Sequence, residues 1–306
     1  MIEIYFKTIR DPQFKRIDDI RAGSWLYLRD TNLEDLQQLA TLTGLELSDV
    51  RDSLDKYELP RIERVADSVI LFIRHPSELE AGLYTSTLTI LLTNTYLVTI
   101  SPTRCDIVET LLTQHTPFGT TQKSKLLLHI LLKITQEFTA SIKRARHATL
   151  EHEQATKTID NEAIAVLTKN EEILNQYLTA LVPLRNVLEA METGRYINLY
   201  EKDYDLLEDL MIAIQQSEDL CRVNVKSIRS LRDSFQIIFT NDVNRTIKRL
   251  TALTIIFTIP TILASIYGMN VQLPFQDKPY AFFLVINITI VFSFIAVLFF
   301  MRKRWL

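Results

Sequence analysis

LTALTIIFTIPTILASIYGMN, residues 250–270, is apolar enough to cross a bilayer, yet it carries hydroxyls at regular intervals. Thr251, Thr254, Thr258, Thr261 and Ser265 recur at alternating spacings of three and four. At about 100° per helical residue, that spacing holds them within an arc of roughly 80°. A lone helix in lipid gains nothing from such a stripe, whereas several copies whose stripes meet would line a water-filled path. The same hydroxyls can instead bond back to the carbonyls of their own helix, as Ser and Thr do in membranes. The alignment of the whole set favours the path.

Working outward, the stretch ends in Tyr267, Gly268, Met269 and Asn270, and a short loop leads to a second apolar span, residues 280–301, which is long enough to cross with some tilt. Asn287 is its strongly polar residue and reads as a helix-to-helix hydrogen bond. Arg245, Lys248 and Arg249 precede the first span, Arg302, Lys303 and Arg304 follow the second, and the loop between carries only Asp277 and Lys278. Positive-inside places both ends in the cytosol. Upstream, residues 195–259 lack Gly and Pro, so one helix on the order of 90 Å long is expected to run into the membrane. Leu207, Leu210, Ile214, Cys221, Val225, Ile228, Phe235 and Ile238 approximate a seven-residue repeat that lapses at Ser217. It fits parallel neighbours or packing within the chain, and both are expected.

A Gly-Met-Asn tripeptide ending a long gap-free helix, followed by a short loop, a second span and a basic terminus, resembles the CorA family of divalent-cation channels. The resemblance implies an α/β cytosolic domain, long α-helices and two C-terminal transmembrane helices in a funnel-shaped homopentamer. It implies a selectivity filter of Gly268, Met269 and Asn270. Asn244, Ile247, Leu250, Thr251, Thr254, Thr258, Thr261 and Ser265 would face the pore, with Ile247 and Leu250 as an apolar constriction that blocks ions by dewetting. Thr258 departs from the methionine of some relatives, which shortens that gate. Arg302, Lys303 and Arg304 would ring the pore base, although topology alone also explains them. Asp205, Glu208 and Asp209 share one helical face at spacings of three and four. They are either a solvated acidic face or, as in the family, carboxylates that bind cytosolic Mg2+ between subunits and close the channel.

The rest of the chain fits this plan. The expected segments are an α/β domain over 1–118, a helical pair over 119–194, the stalk over 195–249, the spans 250–270 and 280–301 around the loop 271–279, and the tail 302–306. Strands are expected over Met1–Ile9 and Ser24–Arg29, and in the apolar runs around 61–76 and 85–101. Asn32 is expected to cap a helix that stops at Gly44, Ser48 to cap a shorter one, and the helical pair to break near Asp160 and Asn161. A net charge of −3 with dispersed basic residues gives no sign of nucleic-acid binding. Cys105 and Cys221 form no CxxC, and the mixed-charge N-terminus does not read as a signal peptide. His147 and His152 are five apart and do not share a helix face, so no zinc pair is expected.

Mg2+ demands six oxygens at about 2.1 Å and gives up its water reluctantly. A ring of neutral Asn270 amides would accept hydrogen bonds from a hydrated ion without trapping it. The outer loop offers only Asp277 to attract cations. No phosphate loop or nucleophile elbow is found, so neither an enzyme nor an organic cofactor is expected. The expected function is voltage-driven influx of Mg2+, with Co2+ and Ni2+, across a prokaryotic plasma membrane, where Mg2+ is both cargo and regulator. The partners are further copies of the chain and the bilayer. A Zn2+ transporter like the ZntB branch, which typically has Gly-Ile-Asn, and a tethered scaffold or ion sensor without transport are the alternatives.

Overall fold

A computed structural model of the chain describes residues 2–77, 82–155, 161–271, 274 and 278–306. Asp160 and Asp277 lie outside the described residues, as does the side chain of His152. The chain divides into two compact units, Met1–Lys157 with Ala165–Leu231, and Thr158–Ile164 with Arg232–Leu306.

The first unit is built on a seven-stranded sheet in the order β2-β1-β3-β7-β6-β5-β4. Its strands are β1 Ile2–Phe6, β2 Lys15–Ile17, β3 Trp25–Leu28, β4 Arg61–Val65, β5 Ser68–Pro76, β6 Thr85–Leu92 and β7 Leu97–Ile100. Among the described residues only β3 and β7 pair in parallel, with Trp25 opposite Leu97 and Leu28 opposite Ile100. The short edge strand β2 is not foreseen from the sequence, because KRI has no apolar alternation to betray it. On one face Leu26, Leu28, Ile70, Phe72, Val98 and Ile100 pack with Leu36, Leu39 and Val50, which come from α1 Leu33–Thr43 and α2 Leu47–Arg51. On the other, α4 Lys123–Ala155 packs against β5 and against α3 Asp106–Thr113. Both faces of β5 are therefore buried, and its sequence reads as a continuous apolar run, SVILFI, instead of alternating.

Helix α1 starts as its sequence dictates. The Asn32 side chain accepts from the Asp35 amide at 2.9 Å, and Asp35 accepts in return from the Asn32 amide at 3.2 Å. Gly44 ends it in the left-handed region with φ 73°. The second cap differs from expectation: α2 begins one residue before Ser48, with Glu46 at the cap position. A buried lysine pins the start of the chain to the segment before α4. Lys7 Nζ donates to the Thr116 carbonyl at 2.5 Å, to Thr116 Oγ1 at 2.7 Å and to the Phe118 carbonyl at 2.9 Å. Backbones meet there so closely that a Cβ on Gly119 would lie 2.4 Å from the Lys7 carbonyl oxygen.

Helices α4, α5 Asn161–Glu192 and the first part of α6 Glu201–Tyr267 complete this unit. Leu207, Leu210, Ile214, Cys221, Val225 and Ile228 are buried here, so this part of the seven-residue repeat of α6 is used within the chain, whereas Ile238 at its far end is 46% exposed. Cys221 Sγ lies 3.2 Å from the Leu174 carbonyl of α5, and burial pushes its thiol up to about 12. Cys105 is likewise buried and free, which makes both packing residues.

The second unit holds the rest of α6 and α7 Ala281–Arg302. By length and composition, α6 and α7 can each cross a membrane. The two meet as an antiparallel pair. A groove of about 510 Å³ lies between them at the loop end, lined by Pro260, Ala264 and Tyr267 of α6 and by Ala281, Val285 and Thr289 of α7.

Candidate functional site

Helical periodicity gives the outer part of α6 two distinct flanks. Ala252 is fully buried, and Ile256, Ile259, Pro260 and Leu263 are half-buried on the same side. Asn244, Thr251, Thr254, Thr258, Thr261 and Ser265 are all exposed. At about 100° per residue the centres of these two sets lie roughly 150° apart. The shielded side of α7, made by Ala281, Leu284, Val285, Thr289, Ser293, Ala296, Val297 and the buried Phe300, supplies the complementary surface. The hydroxyl stripe thus faces away from α7. Ile247 and Leu250, exposed at 55% and 65%, extend the open side below it.

The hydroxyls do bond back to their own helix. Thr254 Oγ1 donates to the Leu250 carbonyl at 2.9 Å, Thr258 Oγ1 to Thr254 at 2.7 Å and Thr261 Oγ1 to Phe257 at 3.0 Å. This does not remove the row from solvent chemistry. A hydroxyl that has spent its proton on the backbone presents only lone pairs outward. The exposed side of α6 is therefore a row of acceptors, suited to water molecules whose hydrogens point away from a cation.

At the end of α6 the Gly268 amide still donates to Ala264 at 2.9 Å, and the Met269 amide donates to Ile266 at 3.2 Å. The last turn tightens there. A Cβ on Gly268 would sit 3.2 Å from the Ala264 carbonyl oxygen, so a side chain would press on that turn. Met269 and Asn270 follow, both exposed. Tyr267, also exposed, brings its hydroxyl to 3.5 Å from the Pro274 carbonyl.

In the first unit, Asp205, Glu208 and Asp209 are all exposed on the side of α6 opposite Leu207, Leu210 and Ile214. Their shared face is thus open to a partner or to solvent. Among the described residues no group of three or more His, Cys, Asp or Glu is arranged to hold a metal ion. One chain alone does not enclose a cation at this face.

Arg302 closes α7, Lys303 caps it, and Arg304 follows with φ 56°. Beyond their value as topology signals, Arg245, Lys248 and Arg249 share one flank of α6, which their charge alone does not reveal. At about 100° per residue they surround Ala252 and point away from the hydroxyl stripe. The angular arithmetic that found the stripe could have separated them.

A family model described as "CorA-like Mg2+ transporter protein" matches residues 21–304. The chain is 27% identical to the cobalt/magnesium transport protein CorA of Methanocaldococcus jannaschii, over 98% of this chain and 96% of that one. It is 25% identical to the magnesium transport protein CorA of Wolinella succinogenes over 48% of this chain and 45% of the relative. The complete structure of the CorA magnesium transporter from M. jannaschii superposes with a TM-score of 0.79 at 24% identity, covering 100% of this chain and 99% of that one. The cytoplasmic domain of ZntB from Vibrio parahaemolyticus matches at 9% identity with a TM-score of 0.62, covering 78% of this chain and 98% of that one, a likeness of fold alone. With the matched region running from β3 through α7 to the basic tail, the chain belongs to the CorA-like Mg2+ transporter family.

Proposed function

We propose that the chain carries Mg2+ and Co2+ across a prokaryotic plasma membrane, down the membrane potential, along a path lined by the hydroxyl rows of several copies of α6. The M. jannaschii relative, named a cobalt/magnesium transport protein, supports the choice of ions. The observation that carries the reading is the separation of flanks on α6: the shielded side carries Ala252, Ile256, Ile259 and Leu263, and the opposite side is an exposed row of acceptors within a helix long and apolar enough to cross a membrane. With the hydroxyl protons engaged on the helix's own carbonyls, the outward lone pairs of the row suit a water-filled path.

In this reading Asn270 and its copies form the neutral ring at the mouth, backed by Gly268 and Met269. Asn244 opens the inner end, and Ile247 and Leu250 form the constriction above it. Both termini are cytosolic, in keeping with the basic residues that flank the spans. The homopentamer follows from the resemblance and supplies the neighbours that the hydroxyl row needs. A divalent ion crossing about 100 mV gains about 4.6 kcal/mol, so no ATP is required. Cytosolic Mg2+ held between copies at Asp205, Glu208 and Asp209 closes the path, because like charges on one face repel until a cation joins them.

Uptake into proteoliposomes of the full chain tests this, with Mg2+ and Zn2+ supplied separately, with and without a pH gradient, and with Asn270→Ala beside the native protein. The expected result is Mg2+ entry that follows voltage, ignores the pH gradient and is lost in the variant. Zn2+ entry that rises with a proton gradient would overturn it in favour of a proton-coupled Zn2+ transporter. Absence of flux from an assembled, ligand-free protein would overturn transport altogether.

A further inference from the structure

We propose that the ends of α6 and α7 at the basic tail form a binding site for the headgroup of an anionic phospholipid. The inference goes beyond transport and rests on the second unit alone. α7 ends in a hydrogen-bonded reversal: the Arg304 amide donates to the Met301 carbonyl and the Trp305 amide to the Phe300 carbonyl, each at 3.0 Å. This is a Schellman closure with a non-glycine residue, Arg304, in the left-handed position. It returns the chain onto the helix, and the Trp305 ring stacks on Phe300 with centroids 5.5 Å apart and planes 30° apart. An indole tucked against the last apolar turn is placed at the boundary between hydrocarbon and headgroups.

Both helices carry basic residues towards this end of the second unit. The groove at the loop end is lined by Pro260, Ala264 and Tyr267 of α6 and by Ala281, Val285 and Thr289 of α7, the pattern of an antiparallel pair in which Tyr267 and Ala281 lie nearest the loop. Carried along at one rise per residue, that pairing brings Ala252 level with Val297 and Arg249 level with Phe300, in the last turns of α7. Arg245, Lys248 and Arg249 lie on the flank of α6 that carries Ala252 and not on the hydroxyl stripe, while Lys303 and Arg304 follow Phe300 at the end of α7; Arg302, about 160° round that helix from Phe300, faces the other way. All are exposed, and none makes an ion pair among the described residues. The neighbouring carboxylate along α6, Asp242, is exposed and unpaired among the described residues too. Positive-inside topology explains the sign of these charges but neither the placing of Arg245, Lys248 and Arg249 on one flank of α6 nor the reversal that sets Trp305 on Phe300 beside Lys303 and Arg304. A phosphodiester at the membrane surface supplies the missing anion, and its acyl chains continue along apolar helix surface.

Trp305 is also the reporter. The other tryptophan, Trp25, is 0% exposed within the sheet, so contact quenching by bromine reads Trp305. The full-length protein is reconstituted in phosphatidylcholine vesicles in which an equal fraction of either phosphatidylcholine or phosphatidylglycerol is brominated. Brominated phosphatidylglycerol is expected to quench several-fold more effectively, and Trp305→Phe to abolish the signal. Arg304→Gly keeps the left-handed turn but removes a guanidinium, and should lower the preference about fivefold, the effect of one basic residue at an anionic surface. Arg249→Gln should act similarly from the other helix. Equal quenching by the two lipids, or a preference that survives both substitutions, would overturn the site. Loss of the preference on adding inorganic phosphate at matched ionic strength would also overturn it, in favour of a free-phosphate site. The readout involves no ion flux, so its failure is distinct from a failure of transport.

Discussion

Thr139 of α4 and Ser217 of α6 meet hydroxyl to hydroxyl, 2.7 Å apart, where the apolar repeat along α6 lapses. Ser217 is 1% exposed. Each hydroxyl also reaches its own helix, Thr139 the Thr135 carbonyl at 3.0 Å and Ser217 the Ala213 carbonyl at 2.8 Å. Two protons thus serve three contacts, and the pair shares them. The lapse is a polar clasp between helices. Thr139→Val and Ser217→Ala should each destabilise the protein by about 1 kcal/mol, and the double variant by less than their sum. Denaturant unfolding of the detergent-solubilised full chain measures the cycle; strict additivity would mean that the contact contributes nothing.

Thr254→Val, Thr258→Val and Thr261→Val together should lower Mg2+ flux by about tenfold or more while leaving helix content and assembly unchanged. Valine copies the shape of threonine but removes the outward lone pairs, and the backbone bonds of α6 do not depend on the lost hydroxyls. Circular dichroism and size-exclusion chromatography check the fold, and proteoliposome uptake the flux. Native rates in the triple variant would remove the hydroxyl row from the path.

Asp209→Lys, with Glu208→Gln as a milder change, should weaken closure by internal Mg2+. An exposed residue opposite the buried face of α6 can be altered with little effect on packing, so the expected stability change is within about 0.5 kcal/mol. Flux measured against internal Mg2+ should then show closure shifted to higher concentration. An unchanged dependence would release Asp209 from the regulatory role.

Acid should unfold the protein partly through His75. The ring is 2% exposed on the α4 side of β5, and its Nδ1 lies 3.0 Å from the Pro76 carbonyl, which makes Nδ1 the donor. Nε2 is buried without a partner among the described residues. Burial pulls the pKa down from 6.5 to about 4; Arg74 adds to this, and the Pro76 carbonyl, Asp106 and Glu137 oppose it. Because the folded pKa is depressed, the unfolded chain takes the proton first. Stability is full above about 6.5 and falls as pH drops towards 4, by at most about 3 kcal/mol. His75→Phe should flatten the unfolding midpoint across this window; a parallel curve would show that other groups set the acid sensitivity.

The sequence by itself determined the local elements and the character of each helix face. The capping box of Asn32 and Asp35, the stop at Gly44, the apolar lengths of α6 and α7 and the stripe of Thr251, Thr254, Thr258, Thr261 and Ser265 all follow from neighbours within one or two turns. Propensity, capping and helical periodicity act over that range, so they can be read without knowing the fold. Tertiary structure alone decided which faces meet. The same repeat of Leu207, Leu210 and Ile214 could serve a neighbour or the chain itself, and contacts with α4 and α5 chose the latter. Burial of His75 and the Lys7 clasp on Thr116 and Phe118 join residues distant in sequence. No local pattern encodes them, because the desolvation and pairing that give them their energies exist only once the elements have packed.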